Sequence, residues 1–460
     1  MKGHFIFSGA FIFFLVIFMK FSSIGRWFSG KQLYILDTEH SGLRREILER
    51  HKDLNNFYKT LIGESGIKRF SPNAMILPWA EMDLNFPLQP GSLGCEDLSH
   101  LTAVDYLGSG FTKLVLKGTL KNGRTIALKS INGEGNDVKR CLQLYGDYIG
   151  CFRLATYKLQ KEMSLLQSLR HPGIIQLHGQ CYDNSAPSDI RVTAMLEIGS
   201  PLEMIQLLQT PWEERFKICL DLVKLLHYLA SSPLGSIALL DFQPRQFVLV
   251  GGSLKITDMD DAATAEQNCT EDADCALRFP SRTFTGTCSQ SGTCTGANEK
   301  RNLFNAYRYF FKYLLPHAAP PALQPLLQDI MNATGDLRFG INETLEAFEK
   351  VLDVYRSGMY IHRRRHIKDY IMVKGFRLDD RQDEFRCWPS YNHMGCLISV
   401  HNTNEAAEFC SSHAACQNFV ISQHKTWTGR SLASFTSSSA KPIPDVNSQV
   451  YIKRSRNIKL

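Results

Sequence analysis

The sequence predicts an α+β protein: two lobes followed by a small C-terminal disulfide-linked module. Three observations carry this reading. Residues 98–200 hold several short β-rich runs and one long helical run. From 202 to 355 the apolar residues recur mainly at helical spacing. Residues 385–460 then carry four cysteines, Cys387, Cys396, Cys410 and Cys416, in a stretch too short to bury a large core without crosslinks. The length of 460 residues is consistent with about two to three domains. A net charge of +7 without an aromatic-interleaved basic stripe argues against a nucleic-acid partner.

The N-terminus reads as an address. Lys2 precedes an apolar run from Phe5 to Phe18, and Ser22, Ser23 and Gly25 follow. That order of basic, apolar and small residues predicts a secretory signal over 1–25. The alternative is an uncleaved signal anchor, although the run is shorter than the roughly 20 residues a membrane helix needs. Membrane association is expected only in that second case. Residues 26–97 read as a stem: a polar stretch, helical in part between Glu39 and Tyr58, then a loop with Pro72, Pro78, Pro87 and Pro90.

Thirteen cysteines fit an oxidising lumen, many of them in pairs six to ten residues apart. None is spaced Cys-x-x-Cys, which argues against zinc. Cys219 sits within an apolar helical run and is expected to be the free, buried, odd one. Asn268, Asn332 and Asn342 begin glycosylation sequons.

In the first lobe, Gly108 and Gly110 flank Ser109, and Val115 follows. Lys121-Asn122-Gly123 reads as a hairpin turn, with positive φ expected at both Asn122 and Gly123. A strand from Arg124 to Ser130 carries Lys129 near its end. Such a glycine turn lets backbone N–H groups approach phosphate oxygens, and the lysine adds a point charge. Alone, Gly-x-Gly is equally an ordinary tight hairpin. Phe152–Leu169 reads as a helix holding Glu162, and it stops at His171-Pro172-Gly173. Ile174–Leu177 and Val192–Glu197 read as further strands, and Gly199-Ser200-Pro201 as a break.

The second lobe opens with a helix over Trp212–Leu229, whose apolar face includes Phe216, Leu220, Val223 and Leu226. Asp241 follows the apolar run Ala238-Leu239-Leu240. Strands Phe247–Val250 and Leu254–Ile256 are joined by Gly251-Gly252, and Asp258-Met259-Asp260-Asp261 comes next. A Cys-rich insert spans 264–297, and helices return over 298–315 and 320–355. Residues 356–384, with His362 to Lys368, read as a basic, solvated linker. Within the final module Ala406–Ser411 reads as a helix, and the arrangement is similar to PAN/apple-type modules.

Taken singly, each of these carboxylates reads as a turn or cap residue. Taken together, a glycine turn, strand lysine, helix glutamate, loop aspartate and strand-end aspartate occur in one order. Phosphoryl transfer needs these groups: hard oxygens for a divalent cation, cations and backbone donors for phosphates, and a base near the acceptor hydroxyl. In this order the chain resembles the protein kinases, implying a bilobal protein-kinase-like fold over 98–355. The resemblance assigns Leu107, Gly108, Ser109, Gly110 and Val115 to the Gly-rich loop, with Lys113 where that loop has its third glycine. It assigns Lys129 to the nucleotide phosphates, Glu162 to its ion-pair partner, Glu197 to the hinge, and Asp241 to the catalytic base. Asp258 is implied as a metal ligand, and Gln246 as a second one through its amide oxygen. ATP with Mg²⁺ or Mn²⁺ is the implied cofactor set.

The departures from the family are substantial. Leu239-Leu240 stands where His-Arg is usual, Gln243 and Gln246 replace the loop's Lys (or Ala) and Asn, and Asp258-Met259-Asp260 replaces Asp-Phe-Gly. Without His-Arg, activation by loop phosphorylation is not expected. The four cysteines of the insert are expected to brace that segment instead. The segments 240–250, 298–303, 387–391 and 427–430 resemble the secreted, extracellular tyrosine-protein kinases in particular. That resemblance implies a lumenal and extracellular enzyme acting on tyrosines of secreted, secretory-pathway and matrix proteins, with a role in skeletal development. Arg245, four residues after Asp241, lies where receptor-type tyrosine kinases carry arginine. The alternatives are a secretory serine/threonine kinase and a pseudokinase scaffold.

Overall fold

A computed structural model describes residues 42–54, 92–183, 191–361, 366–379, 385–437 and 441–454. The expected signal or anchor, the proline-rich part of the stem and Arg363-Arg364-Arg365 lie outside the described residues. The chain divides into two compact units. One runs to Ser168 and adds Gln176–Ile198; the other holds Leu169–Ile175 and everything from Gly199 onward.

The first unit is built on a five-stranded antiparallel sheet. Helix α1 (42–54) comes from the stem, and its Leu43 and Leu54 are buried. Helix α2 (Cys95–Ser99) precedes strands β1 (Ala103–Ser109), β2 (Lys113–Thr119) and β3 (Thr125–Ile131). Helices α3 (Asn136–Tyr145) and α4 (Tyr148–Ser168) lead to β4 (Leu177–Asp183) and β5 (Arg191–Leu196), and the sheet order is β1-β2-β3-β5-β4. The β2–β3 turn differs from the expectation. Leu120 N–H donates to the Arg124 carbonyl and Gly123 N–H to the Leu120 carbonyl, and within the turn only Gly123 has positive φ, at 80°. This is a three-residue loop with a left-handed glycine rather than a two-residue turn needing positive φ at Asn122 as well.

The expected strand Ile174–Leu177 is also displaced. Ile174 and Ile175 are buried and bridge to Ile256 in the second unit, and the ladder strand begins at Leu177. A short apolar run looks the same to periodicity whether it joins a ladder or lines a core. The stem's end is fixed at the edge strand β4. Leu93 bridges Gly179 in parallel, and a Cβ on Gly179 would fall 2.0 Å from the Leu93 carbonyl oxygen, so only glycine fits. Cys95–Cys181 locks this contact across a separation of 86 residues. Replacing both cysteines by serine should cost about 4–5 kcal/mol by loop-closure entropy, read from denaturant unfolding of the non-reduced protein. Wild-type-like stability would mean that the Leu93–Gly179 contact holds the stem unaided.

The second unit is mainly helical around α6 (Trp212–Ala230), which follows the short α5 (Met204–Gln209). Phe216 of α6 meets Phe348 at 5.5 Å, and Phe348 meets Phe311 at 5.2 Å. Arg215 is fully buried, yet its donors reach the carbonyls of Thr210, Leu314 and His317. Burial lowers its pKa to about 10, which still leaves it charged at neutral pH. Cys219 is the free, buried cysteine among the described residues, and burial pushes its thiol pKa far up, so it is inert. In the insert, Cys269–Cys288 and Cys275–Cys294 both form, bracing the segment as expected. Helix α7 (Ala297–Ala306) continues through a π turn (Tyr307–Phe311) into α8 (Lys312–Leu314), and α9 (Gln324–Gly335) and α10 (Ile341–Ser357) follow. Among the described residues no helix is long and apolar enough to cross a membrane.

The expected linker over 356–384 needs correction. Tyr370–Asp379 forms a strand that pairs along Lys441–Lys453, so it belongs to the C-terminal module. It is an edge strand of the five-stranded sheet, with Lys374 and Arg377 among its residues, and such charge on an edge reads as linker in sequence. Helix α11 (Thr403–Ser412) packs on this sheet. Cys387–Cys396 and Cys410–Cys416 close the module around Phe419 and Phe435. Nor does the module stand apart from the helices before it. Thr428 donates to Glu213 of α6 at 2.6 Å, Tyr391 donates to Glu214 at 3.1 Å, and Arg430 donates to the Tyr355 carbonyl of α10 at 3.0 Å.

Candidate active site

In the first unit the expected residues lie on β1 and the turn after it, on β2, β3 and α4, and just past β5. Leu107 is the bulge where β1 slips against β2, and Gly108 has open space where a Cβ would stand. Tyr106 donates to Ser109 Oγ at 3.0 Å, and Gly110 N–H donates to the Lys113 carbonyl, closing the glycine turn. The turn is braced from α3. Asp137 N–H donates to the Phe111 carbonyl, and its carboxylate accepts from Thr112 and from Lys158. Burial acts to raise the Asp137 pKa, but Thr112 and Lys158 outweigh it and hold the carboxyl below the usual range.

Val115 faces Lys129 in the β2–β3 register. Lys129 is buried, and its Nζ lies 2.6 Å from Oε1 of Glu162, which is 1% exposed on α4. A second lysine, not assigned from sequence, reaches the same carboxylate: Lys113 Nζ lies 2.5 Å from Oε2. At the unit's last strand, Glu197 N–H donates to the Gln176 carbonyl, and its side chain accepts from Gln176 N–H. The expected hinge glutamate thus shapes its own backbone.

The second unit holds the other residues in one local frame. Asp241 follows the two-residue strand Ala238–Leu239, which pairs with Ala262–Ala263, beyond Asp258. Phe247–Val250 and Ser253–Ile256 form a hairpin closed by Gly251 and Gly252, both at positive φ. Thr257 N–H donates to the Gln246 carbonyl, tying the two aspartate-bearing segments together. The Asp241 carboxylate accepts from Gln243 at 2.7 Å on Oδ1, and from Gln246 and Arg245 on Oδ2. Gln246 uses its amide N–H here, which leaves its oxygen as the group with ligand character. Asp258 Oδ1 accepts from Asp260 N–H at 3.4 Å, and Met259, in place of the family's Phe, is buried. Leu239, in place of the family's His, is buried, whereas Leu240 is exposed.

Two asparagines of α7 complete this frame and were not assigned from sequence. Asn302 accepts from Leu239 N–H at 2.8 Å and donates to the Ile237 carbonyl at 2.7 Å. Asn298 donates to the carbonyls of Ser236 and Ala265. A buried amide that pairs with backbone on both its oxygen and its nitrogen fixes the chain just before Asp241. The available signal was their spacing, four apart on one helix.

Comparison with known proteins agrees with this arrangement. Residues 155–334 match the model of the protein-kinase domain of FAM69. The chain is 50% identical over 374 residues to the human extracellular tyrosine-protein kinase PKDCC, a match covering 80% of this chain and 76% of that protein. The Gly-rich turn, the buried lysine–glutamate pair, the loop aspartate and this similarity all lead to one conclusion: the chain belongs to the PKDCC family of protein kinases.

Proposed function

We propose that the protein is a secreted tyrosine kinase that transfers the γ-phosphoryl group of ATP to tyrosines of secretory-pathway, extracellular and matrix proteins. The observation that carries tyrosine specificity is Arg245, whose Nη2 lies 3.3 Å from Asp241 Oδ2. A planar guanidinium beside the base suits a flat phenol ring, on which it can also stack. The name of the human relative, an extracellular tyrosine-protein kinase, supports the same reading. In this proposal Asp241 orients the acceptor hydroxyl and takes its proton. Lys129, oriented by Glu162, holds the nucleotide phosphates together with the turn of Leu107, Gly108, Ser109 and Gly110; Val115 and the Glu197 backbone border the base. Asp258 and the Gln246 amide oxygen are hard donors fit for Mg²⁺ or Mn²⁺. A bound divalent cation would neutralise charge on the phosphates. A role in skeletal development belongs to the same proposal, as do Golgi transit and glycosylation. Asn268, Asn332 and Asn342 are exposed, but the Thr334 and Thr344 hydroxyls are buried against helix carbonyls. Glycans at Asn332 or Asn342 would therefore have to be added before α9 and α10 close.

The test uses protein purified from a eukaryotic secretion medium, incubated with ATP, Mg²⁺ and Mn²⁺ and a mixed tyrosine and serine/threonine peptide pool. Phosphotyrosine as the main product is the expected result. Phosphoserine or phosphothreonine would instead establish the serine/threonine reading. ATP binding without transfer would leave a scaffold, the reading favoured by Leu239-Leu240 standing where the family has His-Arg.

A further inference from the structure

Arg308 is placed by the π turn Tyr307–Phe311 that continues α7. Such turns are rare and gather at functional sites. Phe310 and Phe311 fill the core here, whereas Arg308 and Tyr309 remain half-buried. The Arg308 guanidinium lies 4.3 Å from the centre of the Tyr309 ring and 5.9 Å from that of Phe279. Its Nη2 donates to the Tyr309 hydroxyl. Its Nε is shut off from solvent and donates to nothing among the described residues.

Other arginines of this unit are answered by oxygen. Arg282 meets Asp336, Arg430 meets Glu405, and the buried Arg215 reaches three carbonyls. Arg308 meets two ring faces and a phenol, and no carboxylate among the described residues. A ring face attracts a cation, but a charge taken out of water is costly unless it is also paired. Two segments border this charge. On one side is the insert. Phe279 belongs to the hairpin Leu277–Phe279 and Arg282–Phe284, held on α7 by Phe279–Phe304 at 4.2 Å and Phe284–Phe304 at 5.0 Å. On the other side is the loop of the base. Tyr309 lies 6.4 Å from Phe242, the residue after Asp241, with their ring planes 8° apart.

We propose that Arg308 is a specificity-determining residue of the acceptor site, which binds a carboxylate of the peptide that brings its tyrosine to Asp241. This rests on the tyrosine-kinase reading above. A carboxylate accepts from paired guanidinium donors, and the Tyr309 and Phe279 rings hold the guanidinium in place before the peptide arrives. The experiment uses the full secreted protein and two peptides with one tyrosine each, flanked on both sides by glutamate in one and by glutamine in the other. kcat and KM for tyrosine phosphorylation, and direct binding of each peptide, are measured for wild type, Arg308→Lys, Arg308→Gln and Arg308→Met. Wild type should favour the glutamate peptide about tenfold or more, mostly through KM, as one charged hydrogen bond predicts. Arg308→Gln should bring that ratio close to one, and Arg308→Lys should keep part of it. A merely structural arginine would weaken both peptides together and leave the ratio where it was. No glutamate preference in wild type, or a preference untouched in Arg308→Gln, would overturn the proposal. Should the glutamine variant not fold, Arg308→Met keeps an aliphatic stem against Phe279 and carries the same comparison. Failure of the kinase reading is separately visible: wild type would then phosphorylate neither peptide on tyrosine, while the binding ratio still decides the role of Arg308.

Discussion

Asp241→Asn is expected to lower kcat by about 10²–10⁴-fold, the range for a positioned general base, with ATP affinity little changed. The geometry gives the reason. The carboxylate accepts from Gln243 on one oxygen and from Gln246 and Arg245 on the other, so three donors converge on one anion. An asparagine keeps the shape but turns an NH₂ toward one side of that cluster. Donor then faces donor, and the group can no longer take a proton. Asp241 is only partly buried, so water can relieve the mismatch and the fold should survive. Three measurements check this: kcat on a tyrosine peptide, ATP affinity and the unfolding midpoint. A drop in kcat with the other two held identifies Asp241 as the proton acceptor. Retained kcat would remove it from the chemistry altogether. Lys129→Met should behave differently, losing ATP affinity as well, because it strips a cation from the phosphates and leaves Glu162 to Lys113 alone.

This proposed division of labour was visible in the sequence because the candidate groups are punctuated locally. Gly108 and Gly110 mark a turn, Lys129 ends a strand, Glu162 lies on a long helix before a Pro-Gly stop, and Asp241 and Asp258 flank a short hairpin. Each signal is short-range and follows from chain geometry. What remained illegible depends on contacts distant in sequence. Lys113 read as a departure from a glycine pattern, although its spacing from Val115 already placed it on the same face as Lys129. Asn298 and Asn302 read as ordinary helix residues, because nothing local announces that their amides close on backbone some 62 to 65 residues earlier. The strand Tyr370–Asp379 was hidden by its charges, and its partner lies at the far end of the same module. Ile174–Leu177 was misread for the opposite reason, because apolar character alone cannot tell a ladder strand from a core-lining segment.

The same dependence on distant contacts underlies the second large effect, at Arg430. Its guanidinium is 3% exposed and lies 4.1 Å from the centre of the Tyr355 ring. It donates to the Tyr355 carbonyl at 3.0 Å, to the Ser399 carbonyl at 3.3 Å, and to both oxygens of Glu405 at 2.7 Å. Tyr355 in turn donates to Glu213 at 3.1 Å, and Thr428 closes on the same carboxylate. Burial, reinforced by Glu213, pushes the Tyr355 phenol far above its ordinary pKa, so it stays a donor at any pH the protein meets. Arg430→Ala would strip the cation from Glu405, leaving it only Tyr360 and the His401 N–H, and would take a donor from two carbonyls; removing one member of a buried pair costs about 3–5 kcal/mol. A chain of this size should then lose roughly 3–5 °C in unfolding midpoint. Arg430→Lys should recover little, since a single ammonium cannot reproduce the forked contact with Glu405. Because the hub joins α6 and α10 to the last module, the loss should appear as one cooperative transition at lower temperature, and as poorer secretion. If Arg430→Ala instead melts the module early while α6 and α10 unfold at the wild-type temperature, the coupling drawn from these hydrogen bonds is wrong and the module is an independent domain.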